Sequence, residues 1–165
     1  MVRELEIGEP AADDEISAHG DVLRLQSRAG PPGVQRAVMD QHRERLRELA
    51  RGLVRLHSLL LERERRVYEE RHGAVGSREL LTLLLHDQHF AWLRSLSALM
   101  ARIDELVDAE EPVAAVDAER LLGEVYRLLK SGDSGAFQDK YRDALQESPD
   151  VVMVHAGITA VLRGA

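Results

Sequence analysis

Leucines stand at positions 46, 49, 53, 56 and 60, in steps of three and four, inside a stretch that contains no proline and one glycine, Gly52. Residues three and four apart share one side of an α-helix, so Val34–His72 is expected to be a long helix with a heptad-like apolar seam. At ~1.5 Å per residue it would reach nearly 60 Å. A helix of that length needs a bend at Gly52, an end beyond the bundle, or company. Leu46, Leu49, Leu53, Leu56 and Leu60 are therefore candidates for an interface with a second copy or with another helical protein.

The rest of the chain supplies such company within itself. Gly73 and Gly76 close the long helix, and Ser77 is expected to cap the next one. Leu80–Leu85 holds five leucines and is expected to be buried on most sides. His86-Asp87-Gln88-His89 interrupts the apolar run, and Asp87 is suited to cap a new segment, so a bend is expected there. The stripe resumes at Leu93, Leu96, Met100, Ile103 and Val107 and stops before Pro112. Asp117 is expected to cap Ala118–Lys130. A loop over Ser131–Gly135 and a helix over Ala136–Gln146 follow. Ser148-Pro149-Asp150 combines a cap residue, a proline at the first helical position and an acid in the first turn. It opens a last helix over Pro149–Leu162. No segment has a convincing strand pattern. The expected fold is all-α: a helical bundle of two long and about three short helices, over residues 31–165 as one domain.

Residues 1–30 read differently. Their apolar positions have no sustained period, and seven acids face three arginines. A mobile acidic tail is expected, ending at Gly30-Pro31-Pro32-Gly33. The long helix carries ten arginines against seven acids. That contrast raises the idea of an autoinhibitory tail, with Asp13-Asp14-Glu15 lying on the arginine-rich helix.

Composition removes several classes of function. The chain has 165 residues, no cysteine and a net charge of -7. Disulfides, thiolate metal sites and a cysteine nucleophile are excluded. Hydrophobic residues make up 44%, too many for a chain without a core. The acidic balance argues against nucleic acid or an anionic membrane as the main partner. No apolar run reaches the length of a membrane span, and Met1–Pro10 lacks a secretory pattern, so a cytoplasmic protein is expected. Arginines on the long helix alternate with acids and lack aromatic neighbours. They suit ion pairing better than nucleic-acid reading.

Seven histidines hold the remaining candidate chemistry. His86 and His89 are three apart with Asp87 between them, and on one helix they would share a face. His57 and His155 lie on or beside the apolar stripes of their helices. Together the four could bind a divalent metal if they converge; otherwise they are core or boundary histidines held by hydrogen bonds. Glu69-x-x-His72 has the spacing of carboxylate-bridged di-metal bundles, but it occurs once and at a helix end. No phosphate-binding loop, dinucleotide turn or nucleophile elbow is present. Trp92, the single tryptophan, points about 100° or more away from Phe90 and Leu93 on a common helix, and so either seals the bundle beside the long helix or is a candidate interface anchor.

The block Leu83-Leu84-Leu85-His86-Asp87-Gln88-His89-Phe90-Ala91-Trp92-Leu93-Arg94-Ser95-Leu96-Ser97 resembles one in small bacterial all-helical proteins. That likeness implies an all-helical bacterial protein and brings no activity with it. The block is also similar, more loosely, to DinB-like metal-binding bundles, in which a histidine follows a leucine-rich run. His86 would be the matching ligand, while the later His-x-x-x-His pair of that family has no counterpart here. The leading expectation is a non-enzymatic helical module for protein–protein contact or oligomerisation, with no cofactor. The alternative is a metal- or small-ligand-binding bundle.

Overall fold

A computed structural model describes residues 32–130 and 135–164. Among the described residues every regular element is helical. These are α1 (Pro32–His72), α2 (Ser77–His86), a 3₁₀ turn (Ala91–Leu93), α3 (Arg94–Asp108), α4 (Ala115–Lys130), α5 (Ala136–Glu147) and α6 (Pro149–Arg163). The expected tail, residues 1–30, and most of the expected loop, residues 131–134, lie outside the described residues. The compact unit that holds the core is Ala37–Ala165.

The chain folds as the all-helical bundle that its periodicity predicts. α1 runs for 41 residues and passes through Gly52 without a break. Gly52 serves close approach instead. A Cβ there would stand 2.8 Å from Cγ1 of Ile158 on α6. The second long stretch is divided at His86, where the bend was expected. The carboxylate of Asp87 accepts a hydrogen bond from the His89 amide at 2.8 Å, turning the chain into the 3₁₀ turn that leads to α3. Ser148 caps α6 as expected, accepting from the Val151 amide, with Pro149 at the first helical position. Two expected caps differ. Ser77 is the first residue of α2 with Gly76 as its cap. Asp117 lies inside the first turn of α4, paired with Arg120 at 2.9 Å.

The core is built from one stripe per helix. Leu46, Leu49, Leu53, Leu56 and Leu60 are all fully buried. Each stabilises the fold by roughly 2 kcal/mol. Around them close Leu96, Ile103 and Val107 of α3, Leu121, Leu122 and Val125 of α4, Phe137 and Tyr141 of α5, and Val151 and Ile158 of α6. The stripe is thus the chain's own core and not an outward seam, which corrects the interface role expected for these five leucines. A 3-4 repeat has the same period whether the covering helices come from the same chain or another.

Arginine does much of the work at helix ends. The last turn of a helix leaves carbonyls without partners. Arg45 on α1 donates from Nε to the Val161 carbonyl at 3.0 Å and from a terminal nitrogen to that of Leu162 at 2.9 Å, closing the end of α6. Arg94 reaches the Leu84 and Asp87 carbonyls at 3.4 and 3.0 Å at the end of α2. Arg43 donates to the Glu111 carbonyl. After α1, Gly73 takes a left-handed conformation (φ 88°) and ends the helix. Arg65 and Glu69 then clamp the next loop by bonding the carbonyl and the amide of Val75. A rigid planar fork holds its donors ready for two carbonyls at once, whereas an ammonium is a point charge on a flexible stem.

Candidate functional site

The four candidate histidines occupy four different settings. His57 on α1 lies 2.9 Å from the Ser97 hydroxyl of α3. That hydroxyl donates to the Leu93 carbonyl, so the ring's Nε2–H is the donor to it. Burial pushes the His57 pKa down. His155 on α6 faces α5, where the Tyr141 hydroxyl is 2.7 Å from its Nδ1, and Thr159 Oγ1 is 3.4 Å from its Nε2. Burial, aided by the charge of Lys130, lowers the His155 pKa, while burial raises that of Tyr141. The phenol therefore keeps its proton and donates it to a neutral imidazole. His89 lies 3.1 Å from the Glu64 carbonyl. His86 is exposed at the end of α2.

These side chains do not assemble into one site. Among the described residues no three His, Asp or Glu side chains are placed to hold a metal ion. The convergence that a metal site would need is thus corrected, and the reason is local. α2 ends at His86, so the three-residue spacing to His89 spans a turn and not a helical face. Glu69 holds the loop after α1, and its carboxyl is kept below the ordinary range first by the Val75 amide and then by Arg65. His72 stacks on Tyr68 with ring centroids 4.3 Å apart.

Of the two roles open to Trp92 the structure takes the core one, which corrects its candidacy as an interface anchor. The residue is only 6% exposed. Its ring meets Phe137 at 5.5 Å, and the Lys140 ammonium lies 6.0 Å from the ring centre, at the limit of a cation–π contact.

One polar centre escapes a reading of the sequence. Glu64 is the buried charged residue of the core, with no exposed surface. Its Oε1 meets Arg63 at 2.6 Å, and its Oε2 meets Lys140 at 2.6 Å and His89 Nε2 at 3.3 Å. Arg63 goes on to Glu147 at 2.8 Å. Both carboxylate oxygens are taken by cations, so the group is a tie between α1, α5 and the turn before α3, not a free acid or base. Its one signal in the sequence is that Leu60, Glu64 and Tyr68 continue the stripe in steps of four, hidden among charged neighbours.

Several large apolar side chains remain open on the molecule. α2 holds five leucines, yet none of its residues is buried. Leu81 and Leu85 are 58% and 57% exposed. Leu80, Leu83 and Leu84 are half-buried against the core, so the expected burial of Leu80–Leu85 is corrected at Leu81 and Leu85. Arg78, Leu81 and Leu85 fall within about 60° of one another around the helix. On the outer side of α6, Met153 is 72% exposed beside a groove of about 360 Å³ against α1. A third opening, about 570 Å³, runs between α3 and α4 with Arg102, Arg127 and Lys130 on its wall. Arg102 there is already held by both oxygens of Glu124. Among the described residues no helix is long and apolar enough to cross a membrane. Comparison with family models, curated proteins and solved structures returned no match.

Proposed function

We propose that the chain is a non-enzymatic helical interaction module and that α2 is the element it offers to a partner protein. The observation that carries this reading is a helix half made of leucine that packs Leu80, Leu83 and Leu84 on the core and leaves Leu81 and Leu85 exposed. Exposing two large leucines one turn apart forgoes roughly 1.5–3 kcal/mol each in the isolated chain. An amphipathic helix with anchors at Leu81 and Leu85 suits insertion into the apolar groove of another helical protein. Arg78, beside the anchors, favours a carboxylate at the groove's edge. The balanced charges around Glu64 and the separate tasks of His57, His89 and His155 favour a role without catalysis or cofactor. The net charge of -7 favours a protein partner over nucleic acid.

The test is a photo-crosslinking residue placed at position 85 of the full chain in its own cells, with position 116 as an exposed control. The reading expects a discrete adduct with one other protein, identified by mass, which Leu81→Glu abolishes. No adduct, adducts equal at both positions, or adducts with this chain alone would overturn it.

A further inference from the structure

Helix α6 is apolar on both sides. Val151 and Ile158 face the core. Val152, Met153, Ala156, Gly157 and Ala160 all lie exposed on the outer side. The solvent side of a helix is ordinarily polar. Elsewhere polar side chains take most of the outer surface, with Arg47, Glu48, Arg51 and Arg55 outward on α1, and Asp139, Arg142, Asp143 and Glu147 outward on α5. On the outer side of α6 charge is confined to the two ends, Asp150 in the first turn and Arg163 in the last.

Gly157 is a second, separate observation. Glycine inside a helix costs about 1 kcal/mol relative to alanine. At Gly52 the fold supplies the reason, since Ile158 leaves no room for a Cβ. At Gly157 a Cβ would meet nothing within 4 Å. The chain's own packing gives no use for glycine there; the close approach of another backbone does.

We propose that this face is a self-association surface, on which a second copy lays its own α6 antiparallel. The face is self-complementary about a point between Ala156 and Gly157. Met153 and Ala160 are equally far from that point, and so are Asp150 and Arg163. A two-fold axis there sets the two smallest side chains at the crossing, where side-chain size fixes how near the helices come. It brings each Met153 over the partner's Ala160, and it brings Asp150 to the end where the partner's Arg163 stands. A parallel pair would instead place like charges and like helix termini together. The surface is distinct from α2, so this inference and the reading of α2 succeed or fail separately.

Sedimentation velocity on the full chain, from low to high micromolar, tests it. The wild type is expected to form a dimer. Met153→Glu and Ala160→Lys are each expected to raise its dissociation constant about tenfold or more by putting a charge into an apolar contact. Because both positions are exposed, the thermal midpoint of each variant's monomer should stay near that of the wild type. Combining the two substitutions in one chain is expected to restore the dimer, since opposite charges then meet across the antiparallel pair. Leu85→Glu is expected to leave association intact. A wild type that stays monomeric, a dimer that Met153→Glu leaves unchanged, or a combined variant that does not recover would each overturn the proposal.

Discussion

Lys140 on α5 reaches the carboxylate of Glu64 on α1 at 2.6 Å, and that carboxylate has no exposed surface. Arg63 holds the other oxygen at the same distance. A buried charge is expensive unless it is paired, and here two cations share the task, one from the same helix and one from across the core. The pair ties α5 to α1 at one point along its length.

Removing either cation leaves the other in place. Lys140→Met and Arg63→Met are each expected to cost roughly 1.5–3 kcal/mol, the worth of a hydrogen bond to a charged group. Removing both strands the carboxylate, and the loss should exceed the sum of the two singles. Urea unfolding of the four chains measures this directly. A combined loss equal to or below the sum would show that water reaches Glu64.

His57 and His155 make stability depend on pH in a defined direction. Both have folded pKa values below the ordinary 6.5, through burial in each case. As pH falls below 6.5, the unfolded chain takes up protons on these rings before the folded chain does. Stability is therefore full above about 6.5 and declines as pH falls through the lower folded values. Glu69 and Glu124 also have lowered values, but their contribution fades only below the carboxylate range near 4.5. Thermal midpoints between pH 7 and 5 should fall for the wild type and fall less for His155→Asn. A flat wild-type profile over that range would contradict the assignment.

Helices are legible in this chain because apolar spacing and caps are local facts. Ser148-Pro149 starts α6, and Asp87 turns the chain after α2, each through a bond within three residues. What covers a helix is not local. The period of Leu46–Leu60 is the same for a core and for a coiled coil, and the fold chose the core. Leu80–Leu85 gives the opposite lesson: a run of leucines looks buried from its composition, yet α2 half-buries Leu80, Leu83 and Leu84 and leaves Leu81 and Leu85 exposed. The histidines were visible as residues, but their partners Ser97, Tyr141 and Glu64 lie on other elements that spacing cannot locate. Glu64 itself was hidden because its sequence neighbours, from Glu62 to Arg66, are all charged.

Arg45 should be sensitive even to its nearest substitute. Its guanidinium serves two carbonyls at the end of α6 together. Arg45→Ala is expected to cost about 1–3 kcal/mol, and Arg45→Lys to recover less than half of that, because one ammonium cannot reproduce the fork. Amide exchange should quicken at Ala160–Arg163 in both variants, while α3 remains protected. Equal protection at the end of α6 in Arg45→Ala would show that Gly164, in its left-handed conformation at φ 76°, closes the helix unaided.

The two glycines that face α6 and lie on it should respond to alanine with opposite signs. Alanine gains about 1 kcal/mol of helix propensity at either site. At Gly52 the new Cβ stands 2.8 Å from Cγ1 of Ile158, a methylene next to the branch point of a buried side chain, and one of the two must shift. Overpacking of this kind costs roughly 1–3 kcal/mol, so Gly52→Ala should be neutral to clearly destabilising. At Gly157 the Cβ meets nothing within 4 Å, and the gain should appear in full as a higher thermal midpoint of the dilute monomer. The same methyl group then stands at the crossing of the antiparallel pair. Gly157→Ala is thus expected to stabilise the chain and weaken its dimer, whereas a variant that gains stability and keeps its dimer would place the contact elsewhere.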